Sequence, residues 1–238
     1  MTATTSAAEQ IRIPAVAVLR PALAEFVGSA GLTAVVVGSG IAAQNLSPSD
    51  TGLQLLENAL ATALGLTVLI LVFAPSSGAQ FNPVVTLVDA AIGGRPWRDL
   101  WTYIPAQILG CLAGAMLANL MFEQPAARWS STERATPAHL LAEVVATAGL
   151  ILVIFVLART GRSGIIAPAV GAYIGAAYWF TSSTSFANPA ITIGRTITDT
   201  FAGIAPGSVP WYIGAQLVGA GIGLAAVRLF APRPGATR

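Results

Sequence analysis

Long apolar runs alternate with short polar breaks along this chain. Runs near 16–41, 54–74, 98–122, 138–158, 165–181 and 210–231 are each about 17–26 residues long. Each is enough to cross a hydrocarbon core of roughly 30 Å as a helix. The pattern predicts an all-α membrane protein with six transmembrane helices. The first run contains Glu25 and is followed by five more, so it reads as a mature helix rather than a cleaved leader.

Two segments break the pattern: "PSSGAQFNPVVTLVDAAIGG" (75–94) and "TSSTSFANPAITIGRTITDTFAGI" (181–204). Each starts with small polar residues, reads Asn-Pro, and continues as an apolar stretch of about three turns, too short to span. Asn is a favoured N-cap and Pro a favoured first helical residue. Each segment therefore predicts an extended stretch ending in a short capped helix. At membrane depth such backbone is tolerated only where protein buries it or where it lines a water-filled cavity. Two re-entrant half-helices follow from this.

The two segments belong to an internal repeat. Glu25-Phe26-Val27 pairs with Glu143-Val144-Val145, Asn82-Pro83-Val84 with Asn188-Pro189-Ala190, and Pro96-Trp97 with Pro210-Trp211. Ala106-Gln107 pairs with Ala215-Gln216, and the offsets are 106–118 residues. The halves, about 16–122 and 138–231, form one domain over 1–238, joined by a polar linker at 123–137. Three spans per half is an odd number, so the second half inserts upside down. Inverted repeats with paired half-helices point to a transport path at the midplane.

Half-helices entering from opposite faces meet N-terminus to N-terminus. Each end exposes unpaired N–H groups and about half a positive charge. That point repels cations and admits neutral hydroxylated solutes. Asn82 and Asn188 hold the ends and can offer amide N–H groups, while 76–81 and 183–187 can present backbone carbonyls. Glu25 and Glu143 are costly in a membrane, so they are expected to accept hydrogen bonds from the re-entrant loops.

Composition and charge add orientation. The chain is 55% hydrophobic and only 9% charged, against about 25% charge in soluble domains. All twelve basic residues are arginine. In a six-span topology nine of them (Arg12, Arg20, Arg95, Arg98, Arg159, Arg162, Arg228, Arg233, Arg238) fall on one side and Arg128, Arg134 and Arg195 on the other. The bias places both termini in the cytoplasm. A net charge of +2 gives no footprint for nucleic acid. The single cysteine, Cys111, reads as a core residue, and the single histidine, His139, makes no metal site. No cofactor is implied. The spans hold no nucleophile–base pair or metal cluster, which excludes an intramembrane enzyme. Only Glu25 and Glu143 could serve an ion-coupled transporter, and the facing helix ends oppose cations.

These landmarks resemble the aquaporin, or major intrinsic protein, family over nearly the whole chain. The residues carrying the likeness are the two Asn-Pro motifs, Glu25, Glu143, "SSGAQFNPVVT", "YIPAQILG" and "GAQLVGAGIG". The resemblance implies an aquaporin-like fold, a pore in every subunit and a homotetramer in the plasma (inner) membrane. Several positions depart from the family. Gln80 stands where histidine is usual, Val84 where alanine is usual, and the loop before Asn82 reads about two residues short. Ile191 stands directly after the second motif, where the family's constriction uses arginine.

By the same resemblance the constriction consists of Leu64, Ala176, Ser185 and Ile191, with Thr62 and Gly175 as rivals for the first two. Such a neck is wide and apolar, with no fixed positive charge. Arg195, one turn on, is placed nearer the outer mouth, where it draws in solutes or pairs with Asp199. The expected cargo is then neutral metalloid species such as arsenous acid or methylated arsenicals. An Asn-Pro-Val first motif with an aliphatic residue in the arginine position is similar to a bacterial subgroup associated with arsenic resistance. A general glycerol and water facilitator is the alternative, and a water-only channel the least favoured.

Overall fold

The computed structural model describes residues 15–231; Arg12, Arg233 and Arg238 of the charge count lie outside the described residues. The described chain is helix and loop throughout. Six helices are long and apolar enough to span a membrane: α1 (Ala15–Leu46), α2 (Thr51–Ser77), α4 (Leu100–Met121), α5 (Pro137–Arg159), α6 (Ile166–Phe180) and α8 (Val209–Phe230). Two short helices, α3 (Pro83–Ala91) and α7 (Pro189–Gly194), begin at the Asn-Pro motifs.

Local chemistry sets the boundaries. Asp50 caps α2 by accepting from the Leu53 amide, and Thr136 caps α5 ahead of Pro137. The α2 helix ends on Gly78 at φ 87°, a left-handed cap that suits glycine. After Gly194 the α7 helix tightens into a 3-10 turn, Arg195–Ile197.

The packing follows the repeat. Helix α1 lies against α2 and α4, α5 lies against α6 and α8, and α2 meets α6 between the halves. Small residues allow the close approaches. A Cβ on Gly110 would come within 2.3 Å of the Phe26 carbonyl, and one on the equivalent Gly219 within 2.5 Å of the Val144 carbonyl. Any larger residue at either place would force the backbones apart.

Each spanning helix keeps an exposed apolar face. On α2 the face is Leu60, Leu64, Val68 and Leu71, while Asn58, Thr62, Leu66 and Ile70 turn inward. The linker is not free. Arg128 and Ser130 donate their amides to the Ile197 and Thr196 carbonyls, and Thr132 accepts from the Ala205 amide. It therefore runs over the C-terminal end of α7 and covers it.

Candidate functional site

The site begins with the two asparagines. Asn82 accepts from the Val84 amide at 3.1 Å, and Asn188 from the Ala190 and Ile191 amides at 2.9 and 3.3 Å. Each carboxamide thus caps its own half-helix. Each Nδ2 also donates across the bundle at 2.8 Å, Asn82 to the Ala187 carbonyl and Asn188 to the Phe81 carbonyl. The second hydrogen of each Nδ2 has no protein acceptor among the described residues. Pro83 and Pro189 occupy the first helical positions, and Val84 and Ala190 pack into the core behind them.

A buried glutamate supports each loop. Glu25 accepts from Ser77 Oγ at 2.6 Å, the Gln80 and Phe81 amides at 3.0 and 2.6 Å, and Gln107 Nε2 at 2.8 Å. Glu143 accepts from Ser183 Oγ at 2.7 Å, the Phe186 and Ala187 amides at 2.8 Å, and Gln216 Nε2 at 2.7 Å. Both carboxylates are fully buried and have no cationic partner among the described residues. Their charge is carried by donors alone, which suits a group whose desolvation is large.

The same networks hold residues that sequence reasoning missed. Gln107 and Gln216 also donate to Thr86 and Thr192, whose hydroxyls bond back to the Asn82 and Asn188 carbonyls. The signal was present. Ala-Gln served as a repeat landmark, and each threonine stands four residues after its asparagine, one turn along the same face.

The stretches before the motifs are not extended as expected. Ala79, Phe81, Thr184, Ser185 and Ala187 have φ between 45° and 60°. Left-handed backbone at non-glycine residues costs about 1–2 kcal/mol each. It turns successive amides toward the glutamate, and the carboxylate bonds offset the strain.

One cavity of about 260 Å³ connects these parts. Gly78, Gln80, Asp89 and Arg95 line it beside α3. Asn82 and Asn188 line its middle, and Ser185, Phe186, Ile191 and Arg195 line it beside α7. The facing wall is aliphatic, with Leu66, Ile70, Leu150, Ile154 and Ile174.

Two residues assigned to the constriction are not there. Leu64 is 60% exposed on the outward face of α2, and Ala176 is exposed on the outward side of α6. Thr62 and Tyr178 line the cavity in their place, with their hydroxyls 3.2 Å apart. Each misassignment is a shift of two residues, which turns a helix by about 200°. Leu64 rests on matching "GLTVL" (65–69) to the family and Ala176 on counting back from Asn188, and neither reads the rotation of its helix. Gly175, the rival to Ala176, packs on Ala63 of α2.

The neck is also not free of positive charge. Arg195 is only 3% exposed and lines the same cavity as Ile191. Its guanidinium lies 3.5 Å from the Phe186 ring centroid, and Nε donates to the Ala202 carbonyl. It does not pair with Asp199, which accepts from Ser131 and lies 3.4 Å from Arg128. The fold-back of 198–205 under the linker buries Arg195, and four-residue spacing alone could not foretell it.

A family model for major intrinsic proteins matches residues 12–185. The chain is 46% identical over 209 residues to an aquaglyceroporin, AqpS, of Rhizobium meliloti (strain 1021), covering 88% of this chain and 89% of that one. It is 31% identical over 190 residues to a glycerol uptake facilitator protein of Streptococcus pneumoniae (strain ATCC BAA-255 / R6), covering 73% and 80%. The fold superposes on the X-ray structure of the aquaglyceroporin from Plasmodium falciparum with a TM-score of 0.68 at 21% identity, over 88% of this chain and 95% of that one. The chain belongs to the major intrinsic protein family of membrane channels.

Proposed function

We propose that this chain is a passive channel for small uncharged solutes and that neutral metalloid species, arsenous acid or methylated arsenicals, are its principal cargo. Ile191 carries the reading. It lines the cavity on the first turn of α7, where a guanidinium would otherwise narrow the opening. A branched aliphatic wall accepts apolar surface. The hydroxyls of Thr62, Tyr178 and Ser185 meet those of the solute. Arg195 and the positive ends of α3 and α7 oppose cations, so the path favours neutral cargo.

A general glycerol and water facilitator is the second reading. It is favoured by the same three hydroxyls, which suit polyols as well as hydroxylated metalloids, and by the names of the relatives. In either case the chain acts as one domain, 1–238, in a homotetramer of the plasma (inner) membrane, with both termini cytoplasmic and no cofactor. The apolar outer faces support burial against lipid or neighbouring copies. The nine-to-three arginine asymmetry supports the orientation.

Flux of water, glycerol and arsenous acid into liposomes bearing the wild-type chain tests both readings. Arsenous acid flux well above that of empty liposomes supports the first. Glycerol flux without arsenous acid flux supports the second. Solute flux no faster than in empty liposomes overturns both.

A further inference from the structure

Seven residues after each motif asparagine stands a charged residue, Asp89 after Asn82 and Arg195 after Asn188. Seven residues are close to two helical turns, so each returns to the side of its asparagine. Each then turns onto the residue two before that asparagine. Gln80 Nε2 donates to Asp89 Oδ2 at 2.7 Å, and the Arg195 guanidinium covers Phe186 at 3.5 Å. Gln80 and Phe186 are equivalent in the repeat, and all four side chains line the cavity. The chemistry differs between the halves, an ionic hydrogen bond in one and a cation–π contact in the other. The geometry is shared.

Gln80 is a long side chain with several rotatable bonds, and its backbone amide is already committed to Glu25. Its Oε1 has no partner, so among the described residues only Asp89 holds the carboxamide. Asp89 is itself fixed. Arg95 Nε lies 3.4 Å from Asp89 Oδ2, and Arg95 Nη2 donates to the carbonyl of Ser77, whose hydroxyl serves Glu25. A released Gln80 side chain would sweep the lumen it now borders.

We infer that Asp89 is a positioning residue for solute selection. It parks Gln80 against the wall and keeps that end of the path open to solutes larger than water. The inference rests on the channel reading above.

The test measures water and glycerol flux in liposomes bearing wild type, Asp89→Ala, Gln80→Ala and the double variant. Asp89→Ala is expected to lower the glycerol-to-water ratio severalfold, because loss of one charge-assisted hydrogen bond shifts the balance of parked and released Gln80 about tenfold. In the Gln80→Ala background the same substitution should change the ratio by less than about twofold, because nothing remains to be clamped. Asp89→Asn, which retains an acceptor, should fall between; where Asp89→Ala does not insert, Asp89→Asn with and without Gln80→Ala reads the same cycle. An unchanged ratio in Asp89→Ala, or a loss that persists without Gln80, overturns the clamp while the channel stands. Wild-type protein that raises neither flux overturns the channel and the clamp together.

Discussion

Asn82 and Asn188 each donate a side-chain hydrogen to the carbonyl immediately before the other. The acceptors are Ala187 and Phe81, and both distances are 2.8 Å. The two half-helix ends are therefore locked together by the groups that also cap them. Position and polarity at the centre of the path cannot vary independently.

Replacing Asn188 by Asp removes the donor to Phe81 and sets a carboxylate against two positive helix ends. Proton and cation leak, read as decay of a pH gradient across liposomes, is expected to rise while water flux persists. Leak equal to wild type in both Asn188→Asp and Asn82→Asp would remove the helix-end argument for ion exclusion.

Glu25→Gln and Glu143→Gln keep shape and lose charge. Each carboxylate has four donors, and hydrogen bonds to charged groups contribute roughly 1.5–3 kcal/mol apiece against about 1 for neutral ones. An amide also presents N–H groups to donors. Yield of folded, membrane-inserted protein should fall severalfold, with the solute preference of the surviving protein little changed. Normal yield with altered preference would contradict a supporting role.

Ile191→Arg introduces a second guanidinium into a cavity that already holds Arg195. Flux of glycerol and arsenous acid should fall sharply, and water flux less. A variant that passes the larger solutes as wild type does would show that Ile191 does not border the narrowest point.

The register of α2 can be read directly. Thr62→Trp should obstruct glycerol, because the side chain enters the lumen. Leu64→Trp should not, because position 64 lies on the outward apolar face. The reverse result in the flux assay would restore Leu64 to the constriction, as the family resemblance implies.

Asp199 is held below the usual carboxylate range, first by the Ser131 backbone N–H, then by the Ser131 hydroxyl and by Arg128 nearby. A lowered folded-state pKa means that Asp199's share of the tie between 128–131 and 198–205 is complete above the ordinary value of about 3.9 and is lost only as pH falls below it, while the backbone bonds of the linker remain. Protease cleavage in the 123–136 linker should be flat from pH 7 to about pH 4.5 and rise in more acid solution. Asp199→Asn should show the raised cleavage already at neutral pH.

Much of this molecule was legible from the chain alone. Span length and apolarity are set by the bilayer, and a capped Asn-Pro stretch too short to span has few other uses, so the six spans, the two half-helices and the two glutamates could be read residue by residue. Those features depend on local periodicity and on the cost of burying charge. The lining of the neck does not. Thr62 rather than Leu64, and Tyr178 rather than Ala176, face the lumen because packing of α2 on α1 and α6 and of α6 on α2 and α5 sets the rotation of those helices, and two residues along a helix turn a face by about 200°. Arg195 lines the path, rather than pairing with Asp199, because the linker and the 198–205 fold-back close over it. Those choices depend on where distant segments pack, and spacing along one helix carries no record of that.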